Sequence, residues 1–313
     1  TDGFNRAIEK ARAEGYTTVR FAPGEYLVAC ISDVTTYPTD GIFLYSNMNF
    51  DLGDAVFYVE PNGSYSYGVF QLERLENVTV TGGEIIGDKD VHDYTPSATG
   101  LKHAYGAAFH ILSCENVLIK NVKVSSVIGM GIRIYSYADM HMYQMFPTEN
   151  IRITGCEFDD CGFTGIEVSH AVHAEFDNNR FTNFSNRLGN TSSWDVCGIR
   201  TVRWLNSKNL YDQLTKDIKI HDNYFENCGS VVTVNVEDCE ITDNRSAGGM
   251  MGIYGGHRVK IYRNTITEGI IQFGEGEAYH NEDICVPTEG ANGNDCTLRY
   301  AEIIHQTGTF RCD

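Results

Sequence analysis

Apolar and polar residues alternate through most of this chain in short bursts, and the bursts recur. From Asn150 the sequence reads NIRITGCEF. Related phrases begin at Asn77 (NVTVTGGEI), Asn116 (NVLIKNVKV), His173 (HAEFDNNRF), Asp217 (DIKIHDNYF) and Arg258 (RVKIYRNTI), with a weaker CEITDN from Cys239. Within each copy the apolar positions fall two apart, Ile151 and Ile153 then Phe158, or Ile218 and Ile220 then Phe225, which is the period of a strand with one buried face. Some copies start only about twenty residues apart, too close for a strand, a crossover helix and a return. The pattern therefore predicts an all-β chain in which each repeat is one turn of a parallel β-helix solenoid.

A second strand precedes each phrase: FQL at Phe70, FHI at Phe109, IRI at Ile132, IEV at Ile166, IRT at Ile199, VTV at Val232, IYG at Ile253 and IQF at Ile271. The position of Cys156 in its copy is filled by Asn179, Asn223, Asn244 and Asn264 in later ones. Stacked asparagines at a tight turn can hydrogen-bond to each other up the axis, so an internal ladder is expected. At the start, DGFNRAIEKARAEG puts Phe4, Ala7, Ile8 and Ala11 on one helical face, with Asp2 as candidate N-cap and Gly15 as stop. Such a helix would plug the open end of the first rung.

The helix is followed by TVRFAPGEYLV, a strand, a Pro-Gly turn and another strand, before the rungs begin. This opening resembles the pectate lyase superfamily in its broad sense. That group contains pectate-lyase-like proteins, polygalacturonase-like hydrolases, mannuronan epimerases and phage tailspike depolymerases. The resemblance covers roughly Asp2 to Gly269 and implies a right-handed coil and a polysaccharide ligand. It is specific for the fold and weak for the reaction, since one fold hosts several chemistries.

Composition narrows the picture. At 313 residues the length alone would allow two domains, but a solenoid adds rungs without a new core, so one domain is read: residues 1–30 as helix cap and first strands, 40–275 as rungs, 276–313 as an irregular C-terminal cap. No segment approaches eighteen consecutive apolar residues, which argues against a membrane helix; no signal-peptide pattern is present, and the first residue reads as a trimmed start. A net charge of -18 argues against nucleic acid as partner and fits a secreted or extracellular protein. Ten cysteines without a CxxC pair argue against zinc; Cys285, Cys296 and Cys312 cluster in the tail as candidates for a staple, and the others read as buried thiols.

Four long insertions, at 88–104, 136–149, 186–196 and 205–216, all enter or leave strands of the second set, so they flank a single sheet as the walls of a groove. With Phe109 and Ile111 inward, His110 points out, and the same parity turns out Gln71, Arg133, Glu167, Arg200, Thr233, Tyr254 and Gln272. At a rung spacing of about 4.8 Å these side chains would span roughly 30 to 35 Å, enough for several sugars. A ladder of alternating charges needs no function, but this one lies beneath all four insertions.

Two chemistries fit such a floor. Elimination from a uronate polymer needs a cation on the carboxylate, for which Arg133 and Arg200 are candidates, and a base and an acid, for which His110 and Tyr254 are. Hydrolysis of a neutral glycan needs two carboxyl groups, and Glu167 would take its partner from Asp88, Asp90, Asp93, Asp139 or Asp195. The polygalacturonase-like NTD and GHG patterns and the epimerase DPH are absent, GGHRVK at Gly255 being only an echo, which leaves a lyase slightly favoured. Substrate contacts are expected from Tyr137 and His141 in the apolar insertion SYADMHMYQMF, and from Trp194, Arg203 and Trp204 around the IRT strand. DKDVHDY offers Asp88, Asp90 and Asp93 as calcium ligands, or equally a solvated loop. A non-catalytic glycan-binding or tailspike-type module, monomeric or homotrimeric, is the alternative.

Overall fold

The structure is a computed structural model, and it describes residues 1–30, 40–95, 103–136, 148–185, 196–202, 215–274, 282–285, 296–299 and 302–304. Three strands per turn stack in parallel on those of the turns above and below. The first sheet runs through Ser66–Glu73, Tyr105–Leu112, Met130–Tyr135, Ile166–Ser169, Cys197–Val202 and Gly229–Val234. The second contains the recurring phrases, as in Glu115–Lys120, Thr148–Thr154, Ala171–Asp177 and Thr215–His221. Short strands such as Glu157–Asp159, Arg180–Thr182 and Tyr224–Glu226 make the third.

The corners explain why each phrase opens as it does. Asn77, Asn116, Asn150, His173, Asp217 and Arg258 all have φ between 54 and 57°, in the left-handed region that Asn and Asp tolerate better than most side chains. Asn116 Nδ2 donates to Asn77 Oδ1 at 3.1 Å, and Asn77 Nδ2 to Asn47 Oδ1 at 2.8 Å, so this corner carries an outer ladder of its own. The inner ladder forms as expected. Asn179, Asn223 and Asn244 each donate through Nδ2 to the Oδ1 of the next asparagine, at 3.0 to 3.1 Å. Each Oδ1 also accepts the backbone N–H one rung back, and each Nδ2 also donates to a strand carbonyl, so every polar atom of the buried amide has a partner. Cysteines end the ladder: the Cys156 N–H donates to Asn179 Oδ1, and Asn264 Nδ2 lies 3.9 Å from Cys296 Sγ.

Phe158, Phe181 and Phe225 stack inside the solenoid with ring centroids 5.0 Å apart. Glycines opposite make room for them, since a Cβ on Gly165 would lie 2.5 Å from Phe181 and one on Gly198 2.4 Å from Phe225. At the first end, helix Asp2–Ala13 lays Phe4, Ile8 and Ala11 against the core, with Phe4 packed on Phe21, Tyr26 and Phe57. Thr1 rather than Asp2 holds the N-cap position, and Asp2 becomes the acidic first residue of the helix, where the dipole favours it. Gly15 ends the helix with φ +82°, the Tyr16 and Gly15 N–H groups closing on the carbonyls of Ala11 and Arg12.

The tail differs from expectation. Glu282–Cys285, Thr297–Arg299 and Glu302–Ile304 each pair in register with the preceding rung, so its described parts continue the solenoid instead of forming an irregular cap. Cys296 caps the asparagine ladder, its thiol donating to the Ile261 carbonyl at 3.5 Å, and does not staple the tail. Cys312 lies outside the described residues. Cys30, Cys114, Cys156, Cys161, Cys228 and Cys239 are buried thiols, as expected, with burial pushing their pKa values up. Among the described residues no helix is long and apolar enough to cross a membrane.

Candidate functional site

The register of the first sheet puts Gln71, His110, Arg133, Glu167 and Arg200 side by side on five consecutive rungs. Beyond Arg200 the expected column shifts. Val232, not Thr233, lies next to Arg200, followed by Gly252 and Gln272. Thr233 pairs with Thr201 and is buried in the interior-facing phase. The reason is visible in SVVTV: with apolar residues at both parities, alternation sets no phase, and only pairing with the rung before does. Tyr254 does face outward, but in the neighbouring column with Val202 and Val234, where its hydroxyl meets Met250 Sδ at 3.7 Å within an apolar cluster. Gln272 is the member of the later rungs that stays in the column.

Each of the five early members has partners of its own. Gln71 donates to the carbonyls of Asp40 and Gly68, both at 3.1 Å. His110 is 1% exposed, and burial together with the Arg133 charge lowers its pKa to about 3, so the ring is neutral. Nε2 lies 3.3 Å from the Tyr105 carbonyl, which can only accept; Nε2 therefore carries the proton, and Nδ1 accepts from the Tyr135 hydroxyl at 3.1 Å. The Arg133 guanidinium lies over two rings, 4.9 Å from the centroid of Tyr105 and 4.5 Å from that of Tyr135. Arg200 donates to Glu167 Oε2 from Nε at 3.0 Å and also from Nη2, with both side chains nearly buried.

Tyr105 and Tyr135 were not singled out from the sequence. Tyr135 shares the outward parity of Arg133 two residues earlier, a signal that was available; the contact of Tyr105 with Arg133 follows from rung stacking and carries no sequence signal. Tyr137, His141, Trp194, Arg203 and Trp204 lie outside the described residues, as do most of the last three insertions.

The three aspartates of the first insertion do not converge. Asp88 is buried and binds Asn62 and His92, Asp90 is exposed, and Asp93 turns back to the Thr95 hydroxyl and N–H. They make no calcium cage, because one is withdrawn into the fold and another closes its own turn. Lys89 fixes this segment to the frame: its ammonium is buried and binds the Asp160 carboxylate, the Asp160 carbonyl at 2.7 Å and Ser185 Oγ at 3.0 Å. Among the described residues one group of metal-ligating side chains converges within 4.8 Å, Glu175, Asp177 and His221 on the second sheet. Arg152 already supplies the cation there, at 2.9 Å from Asp177 and 3.6 Å from Glu175.

Fold and site together define a parallel β-helix with a non-repeating polar column on one sheet. Residues 31–305 match the family described as the right handed beta helix region, and the chain belongs to that family. Among curated relatives, the SPbeta prophage-derived uncharacterized protein YorA of Bacillus subtilis (strain 168) is 34% identical over 164 residues, which is 50% of this chain and 28% of YorA. The uncharacterized protein YclG of the same organism is 33% identical over 162 residues, with the same two shares. The chain thus matches less than a third of the length of either. Among solved structures, a variant of the tailspike protein of E. coli bacteriophage HK620, in complex with a pentasaccharide, superposes with a TM-score of 0.59 at 12% identity, covering 96% of this chain and 52% of the tailspike. The A-module of mannuronan C-5 epimerase AlgE6 of Azotobacter vinelandii gives 0.50 at 14%, covering 98% and 95%. At these identities the likeness is one of fold.

Proposed function

We propose that this chain is the β-helix part of a carbohydrate-active protein that holds an acidic polysaccharide along the outer face of the first sheet and cleaves it by β-elimination. The observation that carries this reading is the setting of Arg133: a guanidinium at the centre of the column, over two tyrosine rings, one of which bonds a neutral histidine. A guanidinium suits the carboxylate of a uronate. The reaction moves one proton and breaks one bond. Tyr135 Oη takes the proton from C5 as its own hydroxyl proton passes to His110 Nδ1, the electron pair becomes the C4–C5 double bond as the C4–O bond breaks, and the leaving oxygen takes a proton from Tyr135, whose hydroxyl His110 then restores. Arg133 offsets the charge that builds on the carboxylate, and neutral His110 orients the Tyr135 oxygen.

The reading favours elimination over hydrolysis because Glu167, the floor carboxylate, is occupied by Arg200. The same fact supports a second reading, in which the groove only grips, as a tailspike-type or other glycan-binding module. An extracellular or virion-surface location and a monomeric or trimeric state belong to these proposals. The test is a panel of acidic and neutral polysaccharides, followed by reducing ends and by the ultraviolet absorbance of unsaturated uronates. Both signals rising, and both lost in Arg133→Ala and Tyr135→Phe, is the expected result. Reducing ends alone would indicate a hydrolase. Silence from both with measurable binding, together with a trimer by light scattering, would favour the gripping module.

A further inference from the structure

The first insertion contains a relay outside the column. Asp88 Oδ2 accepts from the Asn62 N–H and Nδ2, each at 3.1 Å, and from His92 Nδ1 at 2.7 Å. His92 Nε2 is 2.9 Å from His103 Nδ1, so the imidazoles share one hydrogen bond. All three residues are buried, with Asp88 and His92 side chains fully out of solvent. The Tyr94 ring stands against both imidazoles, with centroids 4.7 Å from His92 and 5.4 Å from His103. A surface loop has no need of an Asp-His-His chain held this way, because burying polar groups costs free energy that only complete pairing offsets.

The relay ends two residues before Tyr105, which touches two members of the column: its carbonyl accepts from His110, and its ring carries Arg133. A second path starts at the other end. Burial, and after it the charge of the Asp88 carboxylate, push up the pKa of the Tyr67 phenol; its oxygen accepts the Ile128 N–H at 3.2 Å, and its ring packs so closely on Gly106 that a Cβ there would be 2.8 Å away. Gly106 is the neighbour of Tyr105. The start of the Tyr105–Leu112 strand is thus held through His103 on one side and through Tyr67 on the other.

We propose that Asp88, His92 and His103 are positioning residues for the column: the relay sets the place of Tyr105, and through it the orientation of His110 and the stance of Arg133. This rests on the column being the working site, but the coupling itself is testable without a glycan. Asp88, named from the sequence as a metal ligand or an acid, takes a different role here, acting through histidines instead of on substrate.

The test uses the full chain and histidine-ring nitrogen resonances. In the wild type, scalar coupling across the His92–His103 hydrogen bond is expected; its absence would overturn the relay without any variant. His103→Phe, shown folded by circular dichroism, should shift the His110 ring signals while leaving the distant His173 and His221 unmoved. His103→Asn, whose amide replaces the Nδ1 contact, should restore the wild-type His110 signals. Unmoved His110 signals in a folded His103→Phe would sink the proposal, as would movement at all three reporter histidines, which would indicate a general loosening. If oligogalacturonate or oligomannuronate binds the wild type, the same variant should weaken it at least tenfold. If neither binds while the His110 shift is seen, the glycan reading fails and the coupling stands.

Discussion

Two columns of side chains run up the axis of this solenoid, and they are built on opposite plans. The inner corner carries the same residue at Asn179, Asn223, Asn244 and Asn264, each amide satisfied by the next rung. The first-sheet column carries Gln71, His110, Arg133, Glu167 and Arg200, all different, satisfied by carbonyls, a tyrosine hydroxyl, aromatic rings and one another. Repetition suits a task that every rung shares, which is closing a corner without stranding polar groups. Its absence marks a task done once. The same sheet makes the contrast again further on, where Val202, Val232, Val234, Met250 and Tyr254 gather in an apolar cluster on the outward side. The scaffold tolerates either surface, so the polar column is not a requirement of the fold.

Four substitutions would break or sharpen this comparison, in order of expected effect on stability. Arg200→Ala leaves the Glu167 carboxylate nearly buried without its guanidinium and should cost about 3–5 kcal/mol, measured by chemical denaturation; a loss under about 1 kcal/mol would show the pair to be solvated. Asn223→Ala removes an amide whose loss strips partners from Asn179 and Asn244 and from the Phe176 carbonyl. A cost of about 2–4 kcal/mol is expected, since each buried group left unpaired costs about 1–3 kcal/mol. Two rungs with different repeat content would then prove comparably dependent on paired polar groups.

His110→Gln tests the column by pH. The ring has a pKa of about 3 in the folded chain against an ordinary value near 6.5. Between those values the unfolded chain takes up a proton that the folded one refuses, so the native histidine's stabilising contribution, complete above about pH 6.5, falls as pH drops toward 3. Its share of the slope is at most about 1.4 kcal/mol per pH unit. Denaturation midpoints across pH 3–7 should fall less steeply in the variant, and parallel curves would contradict a buried neutral ring. The smallest change is expected from Lys260→Ala, which breaks the exposed pair with Glu240 at 3.3 Å; thermal melts should show less than about 1 kcal/mol.

Much of this was legible in the chain because a β-helix writes its architecture as a period. Alternation in NIRIT and DIKIH determines which side chains go inside, and the recurring Asn determines the ladder, because both are local requirements met in every rung. The early column from Gln71 to Arg200 was legible for the same reason: FQL, FHI, IRI, IEV and IRT each have a polar residue between two that face in. Thr233 was misplaced because SVVTV is apolar at both parities, and its phase is set by the neighbouring rung. The relay could not be read at all, since His92 and His103 meet from positions 11 residues apart in a segment without periodicity. Sequence alone therefore determined the solenoid, its inner ladder and the order of the early column. Only the tertiary structure decided that Glu167 is spent on Arg200, that His110 is buried and neutral, and that Tyr105 and Tyr135 flank Arg133. The Glu167–Arg200, His110–Tyr135 and Tyr105–Arg133 contacts join different rungs, and the strength of all these contacts depends on burial and distance, which the alternation of one strand does not encode.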